Sequence, residues 1–212
     1  MSYEEQRREL ILWCRRIYDR GLVFASDGNF SMRLPDGNIL ITPSKRNKGF
    51  LQPEELLVVT PDGRALEGGT PSSEFPMHRA IYETCPKAQV VLHSHPPFST
   101  AYASAGRPVP ENYFVEAPLF LGQVPVTEFA VPGTLDMVRI IEPYLNSTSN
   151  LLLKNHGALV WDKSLEAAYN RLEVLEAVCR MAYYTDALGG ADAITPEQLE
   201  QLRAAKQKKE RT

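Results

Sequence analysis

The chain has 212 residues, 43% of them hydrophobic and 23% charged, a size and balance that suit one well-buried core and a single domain spanning 1–212. Lys and Arg total 23 against 26 Asp and Glu, a formal charge of -3, so no global field draws in nucleic acid or anionic lipid and any anionic ligand must be held locally. Cys14, Cys85 and Cys179 are far apart, odd in number and never in a C-x-x-C pair, which excludes a disulfide framework and a thiolate zinc site and points to a reducing cytoplasm. The opening MSYEEQRREL is charged where a signal peptide needs an apolar run, and no stretch nears the roughly 18 apolar residues of a membrane span.

Residues 3–20 carry Leu10, Ile11, Trp13, Cys14 and Ile17 among charges, a helical period that stops at Gly21. LVFASDGNFSMRL and NILITPS then read as β segments joined by a Pro-Asp-Gly-Asn turn, and LLVVTPDGRALEGG as a buried strand, a second such turn and another short strand. The first third is therefore mainly antiparallel sheet. Ser72 and Ser73 are good N-caps, Glu74 falls in a first helical turn, and Pro86 ends the pattern, which predicts a helix over about 73–84. AQVVLHSHPP is an apolar strand whose prolines stop it and begin the next helix, leaving two histidines at the strand's C-terminal end. LFLGQVPV reads as strand, PGTLDMVRIIEPYL as helix, and NLLLKNHGALVW as two short strands around an Asn-His-Gly turn. LEAAYNRLEVLEAVCRMAYYTDAL is the longest helical pattern, and TPEQLEQLRAAKQKKERT a last helix with a basic, frayed end.

Four histidines are present, and His93 and His95 stand one residue apart. On a strand, residues i and i+2 leave the same face, close enough to share one metal ion. His156, in the polar Asn-His-Gly turn, is aimed rather than buried, and three histidines with one open position make a catalytic zinc site. On spacing alone, a strand end with two satisfied imidazoles is the plain alternative. Glu74 is a candidate base or fourth ligand, because a carboxylate at a helix N-terminus is favoured ionised. A simple cap with His78 at i+4 is the competing reading, and His78 itself is assigned a structural role. Three hydroxyl-rich turns, SDGNFS, TPSKRNKG with its three cations, and PSSE, could grip a phosphate through converging N–H groups. No nucleotide-loop or serine-hydrolase string occurs in the chain.

The order GNFS, ITPS, PSSE, VLHSHPP, LLKNHG and then a long C-terminal helix resembles the class II aldolase/adducin family over roughly residues 5–188. The resemblance implies a three-layer α/β/α sandwich around a mainly antiparallel sheet and a homotetramer with active sites between subunits. It also implies a divalent metal, usually Zn2+, with Mn2+ or Co2+ as alternatives, and a phosphorylated sugar as substrate. Carried over residue by residue, His93, His95 and His156 are the metal ligands, and Glu74 is the acid/base that also touches the metal when substrate is absent. Gly28, Asn29, Ser44, Ser72 and Ser73 hold phosphate. Lys45 replaces the glycine that many aldolases of the family have there, adding charge to the phosphate or marking a different substrate end. Where those aldolases use a tyrosine after the second histidine, PENYFVEAPLF has Phe114 at the expected place, with Tyr113 beside it and Glu116 two residues on. Glu116 and Tyr113 are therefore the candidates for the second proton transfer, and an interface salt bridge competes for Glu116. The expected reaction is cleavage of a ketose 1-phosphate to dihydroxyacetone phosphate and an aldehyde. A 4-epimerase, a dehydratase and a non-catalytic adducin-like interaction module are the alternatives.

Overall fold

The structure, a computed structural model, describes residues 3–210. Six strands form one sheet in the order β3-β2-β1-β4-β6-β5, with every neighbouring pair antiparallel. The strands are β1 (Asn29–Arg33), β2 (Ile39–Ile41), β3 (Leu57–Val59), β4 (Val90–Ser94), β5 (Asn150–Leu153) and β6 (Gly157–Asp162). Helices α1 (Glu4–Asp19), α2 (Phe75–Thr84), α3 (Pro97–Ala105), α4 (Asp136–Ile141), α5 (Leu165–Ala187) and α6 (Pro196–Glu210) surround it.

Both faces of the sheet are covered, which explains why its strands read as near-continuous apolar runs instead of alternating ones. Alternate residues go to opposite faces. Phe30, Leu40, Leu92 and Val160 join Leu10 and Ile17 of α1 and Leu172 and Leu175 of α5 in one core. Ile39, Ile41, Val91 and Leu159 join Ile81 of α2 and Met137 of α4 in the other. The result is the expected helix–sheet–helix sandwich. Among the described residues, no helix is long and apolar enough to cross a membrane.

Helix α1 ends where the sequence says, with Gly21 beyond it at φ +67°. Ser164 caps α5 by accepting from the Ala167 N–H at 3.1 Å. Four local expectations need correction. LFLGQVPV is not a strand: Ala117–Leu121 is a π-helical turn, and the segment's backbone pairing with the sheet is the isolated Val126↔Leu152 bridge. Pro118 and Pro125 lack the N–H groups that a ladder needs, and Gly122 at φ +66° turns the chain. After the Pro61-Asp62-Gly63 turn there is only a Val59↔Ala65 bridge rather than a second strand. Residues 22–28 form a loop instead of extending β1. The N-cap of α2 is Glu74 itself, whose N–H donates to Ser72 Oγ at 3.3 Å, so Ser72 and Ser73 precede the helix. The C-terminal segment is helical through Glu210, and its last two residues, 211–212, lie outside the described residues.

Candidate active site

The site is built at the C-terminal end of β4. Cross-strand register places Asn29 of β1 opposite His93, and Leu159 of β6 opposite its other side. His93 Nδ1 donates to the Ala158 carbonyl at 3.0 Å, which puts the ring proton on Nδ1 and leaves Nε2 as a bare lone pair. That Nε2 lies 3.1 Å from His95 Nε2 and 3.2 Å from His156 Nε2. The β5–β6 turn, with Asn155 at φ +57°, returns His156 to β4 from 63 residues away. Burial is the main cause that holds all three imidazoles below their usual pKa, His95 at about 4, so they are neutral near pH 7.

Three neutral imidazoles with converging nitrogens suit a cation. A tetrahedral zinc with Zn–N near 2.05 Å sets nitrogens about 3.3 Å apart, close to the two separations observed. Glu74 Oε2 is 3.4 Å from His93 Nε2 and Glu74 Oε1 is 3.5 Å from His156 Nε2. Glu74 Oε1 is buried and accepts no hydrogen bond among the described residues. A buried carboxylate oxygen without a partner beside three nitrogen donors is what a divalent ion would satisfy. The residues present therefore fit a divalent metal.

Two glycines make the cluster possible. Gly28 sits at φ +67°, and a Cβ there would lie 2.6 Å from the His93 carbonyl oxygen. A Cβ on Gly157 would lie 2.5 Å from the Ser94 carbonyl oxygen and 2.7 Å from His95 Cδ2. Both positions need the backbone to approach β4 more closely than any side chain allows.

Beside the histidines opens a cavity of about 250 Å³, into which Gly28, Asn29, Ser44, Lys45, Ser72, Ser73 and Glu74 all contribute. The three hydroxyl-rich turns thus meet in one place. Lys45 lies at its exposed rim, at φ +56°. The buried cation is instead Lys48, whose Nζ donates to the carbonyls of Ser26 at 2.7 Å and Arg46 at 2.9 Å. Burial pulls its pKa down to about 8, against the opposing pull of Cys14, Asp27 and Glu74. The sequence offered Lys45, Arg46 and Lys48 as equivalent cations; which one folds inward depends on how the turn closes. Asp27 Oδ2 lies 3.7 Å from His95 Nδ1, a contact that nothing in its local sequence signals.

Glu116 and Tyr113 do not reach this cavity within one chain. Glu116 is exposed at the start of the π-helical turn, and the Tyr113 hydroxyl donates to Asp186 Oδ1 at 3.1 Å. A larger groove of about 600 Å³ lies at the other end of β4, beside Cys85, Lys87 and Trp161. Its lining includes one carboxylate, Asp162, and no imidazole, so the smaller cavity is the candidate site.

Comparison with known proteins gives the family of the fold. Residues 8–183 match the class II aldolase and adducin N-terminal domain. The methylthioribulose-1-phosphate dehydratase of Methylococcus capsulatus is 38% identical over 186 residues, covering 82% of this chain and 91% of that protein. The L-fuculose phosphate aldolase of Methanococcus vannielii is 33% identical over 174 residues, covering 82% and 93%. The crystal structure of YgbL from Escherichia coli, described as an aldolase, epimerase or decarboxylase, superposes with a TM-score of 0.86 at 30% identity, covering 96% of this chain and all of that one. The protein belongs to the class II aldolase and adducin family.

Proposed function

We propose that this protein is a metal-dependent lyase that cleaves a ketose 1-phosphate into dihydroxyacetone phosphate and an aldehyde. The observation that carries the reading is Glu74: its carboxylate lies 3.4 and 3.5 Å from the Nε2 atoms of His93 and His156 and borders the hydroxyl-lined cavity. His93, His95 and His156 would hold the ion, Zn2+ in this reading, with Mn2+ or Co2+ able to substitute. When bound, it supplies Lewis-acid stabilisation of the negative charge that develops on the substrate's oxygens.

The chain's own groups do the rest. Gly28, Asn29, Ser44, Ser72 and Ser73 bind the phosphate through N–H and hydroxyl donors, with Lys45 and Lys48 adding positive charge. This local grip makes a net charge of -3 compatible with an anionic substrate. Glu74 delivers a proton to the substrate carbon left electron-rich when the C3–C4 bond breaks, and takes one from it in the reverse direction. A cavity of about 250 Å³ is smaller than an ordinary ligand pocket of about 300 Å³ or more, so it suits the phosphate end and the reacting carbons. In this reading a neighbouring copy, in a homotetramer, completes the site. From that copy, Glu116 takes the proton of the hydroxyl that becomes the aldehyde, or the Tyr113 hydroxyl relays it by giving up its own proton as it accepts this one.

Dehydration of the same substrate class is the second reading. Glu116 in the loop where the family's aldolases carry tyrosine, and 38% identity to a dehydratase, both favour it. Incubating the zinc-, manganese- or cobalt-loaded protein with a panel of ketose 1-phosphates, and coupling any triose phosphate to its reduction, separates the two. Triose formation supports cleavage. A dehydrated sugar without triose replaces it with the second reading, and an epimer points to the 4-epimerase. A purified protein that neither contains nor takes up a divalent ion would sink the enzyme reading in favour of an adducin-like module.

A further inference from the structure

His78 stands one helical turn after Glu74 on α2 and is fully buried, yet it meets Glu74 only through another residue. Asn29 Nδ2 donates to Glu74 Oε2 at 2.6 Å, and Asn29 Oδ1 is 2.5 Å from His78 Nε2. On its other side His78 Nδ1 is 2.7 Å from Ser31 Oγ, which is 2.8 Å from the Tyr82 hydroxyl. Two periodicities build this ladder. Asn29 and Ser31 are i and i+2 on β1, and His78 and Tyr82 are i and i+4 on α2, so each pair shares a face and the faces meet.

Valence fixes the direction of every link. A carboxylate oxygen only accepts, so the Asn29 amide must turn its N–H toward Glu74 and its oxygen toward His78. That oxygen also only accepts, so His78 carries its proton on Nε2. Burial lowers the His78 pKa to about 3, leaving the ring neutral and Nδ1 bare. Ser31 must then donate to Nδ1 and accept from Tyr82. The bonds run one way, from Tyr82 through Ser31, His78 and Asn29 to Glu74, and each dipole points its positive end at the carboxylate. A flipped amide would set Asn29 Oδ1 against Glu74 Oε2, two acceptors facing each other.

We propose that His78 is a positioning residue for the acid/base: through its Nε2–H it locks the Asn29 amide in the one orientation that holds the Glu74 carboxylate against the histidine cluster. The inference deepens the proposed function and rests on it for the role of Glu74, while the ladder itself can be tested whatever the reaction. In the intact protein labelled with 15N-histidine, long-range 1H–15N correlation should show His78 protonated on Nε2 and bare on Nδ1, unchanged between about pH 5.5 and 8.5. An Nδ1–H tautomer, or titration in that range, overturns the proposal. The Asn29 side-chain amide signal should shift in His78→Leu and return toward its original position in His78→Gln, whose amide can donate to Asn29. An Asn29 signal indifferent to both variants overturns it as well. On the substrate identified by the panel, His78→Leu should lower kcat about 10- to 100-fold with unaltered metal content and a rise in KM smaller than the fall in kcat, and His78→Gln should recover most of it. Equal losses in both variants, or a loss confined to KM, would leave His78 a packing residue. If no substrate is turned over, the function reading fails while the tautomer and amide signals still decide the ladder.

Discussion

Replacing Lys48 by methionine keeps most of the buried stem and deletes the charge. Burial lowers the lysine's pKa from 10.5 to about 8 in the folded protein, a difference of roughly 2.5 units, or about 3 kcal/mol. Below pH 8 both folded and unfolded chains hold the proton, and the fold carries the whole cost of burying the charge. Between pH 8 and 10.5 the unfolded chain keeps the proton that the folded one releases, so folding stability gains with rising pH; above 10.5 both are neutral and the cost is gone. The variant leaves the carbonyls of Ser26 and Arg46 without the ammonium, a penalty of about 1–3 kcal/mol each that does not depend on pH. Urea unfolding of both proteins from about pH 7 to 10.5 should therefore show the wild-type stability, measured relative to Lys48→Met, rising by about 3 kcal/mol. Titrations common to both chains largely cancel in that difference. Parallel curves would mean that the buried ammonium is not strained, and a relative fall would reverse the sign of the argument. Inorganic phosphate gives a second reading: its affinity should weaken as pH rises through 8 in wild type, beyond whatever loss the variant shows, because phosphate binds best beside the charged lysine.

The proposed metal ligands and the proposed phosphate-binding turns can be tested separately. His156→Ala should abolish stoichiometric zinc binding and turnover together, and a fully metallated variant seen by elemental analysis would contradict the three-histidine site. Gly157→Ala pushes a methyl into the Ser94 carbonyl and the His95 ring. Zinc affinity, measured by chelator competition, should fall at least about tenfold, with about 1–3 kcal/mol lost in stability; unchanged affinity would refute the close-approach reading. Ser73→Ala should raise the KM of a phosphorylated substrate several-fold, about 1 kcal/mol, and leave kcat nearly intact. An equal fall in kcat would place Ser73 in the chemical step instead.

Much of the site was legible before the fold was. The i, i+2 spacing of His93 and His95 puts both imidazoles on one face of β4, because strand geometry has period two whatever surrounds it. The Asn-His-Gly turn between β5 and β6, the stop of α1 at Gly21 and the capping of α5 by Ser164 also follow from local chemistry. Other features did not follow. The apolar run at 119–126 has strand composition, yet Pro118 just before it and Pro125 within it cannot donate to a ladder, and the chain takes a π-helical turn. Ser72 and Ser73 look like caps, but the helix begins after Glu74 and leaves both at the cavity.

The sequence by itself determined most helices and strands, the order of its motifs and the residue types available for metal, phosphate and proton transfer, since these depend on period, turn residues and composition; the sandwich followed from the family resemblance those motifs carry. Only the tertiary structure decided that Lys48 rather than Lys45 is the buried cation, that the three imidazole nitrogens converge, and that His78 answers to Asn29. Those facts depend on strands and helices dozens of residues apart meeting in one register. Contacts of that kind arise from how the two cores close on the sheet, which no local pattern encodes.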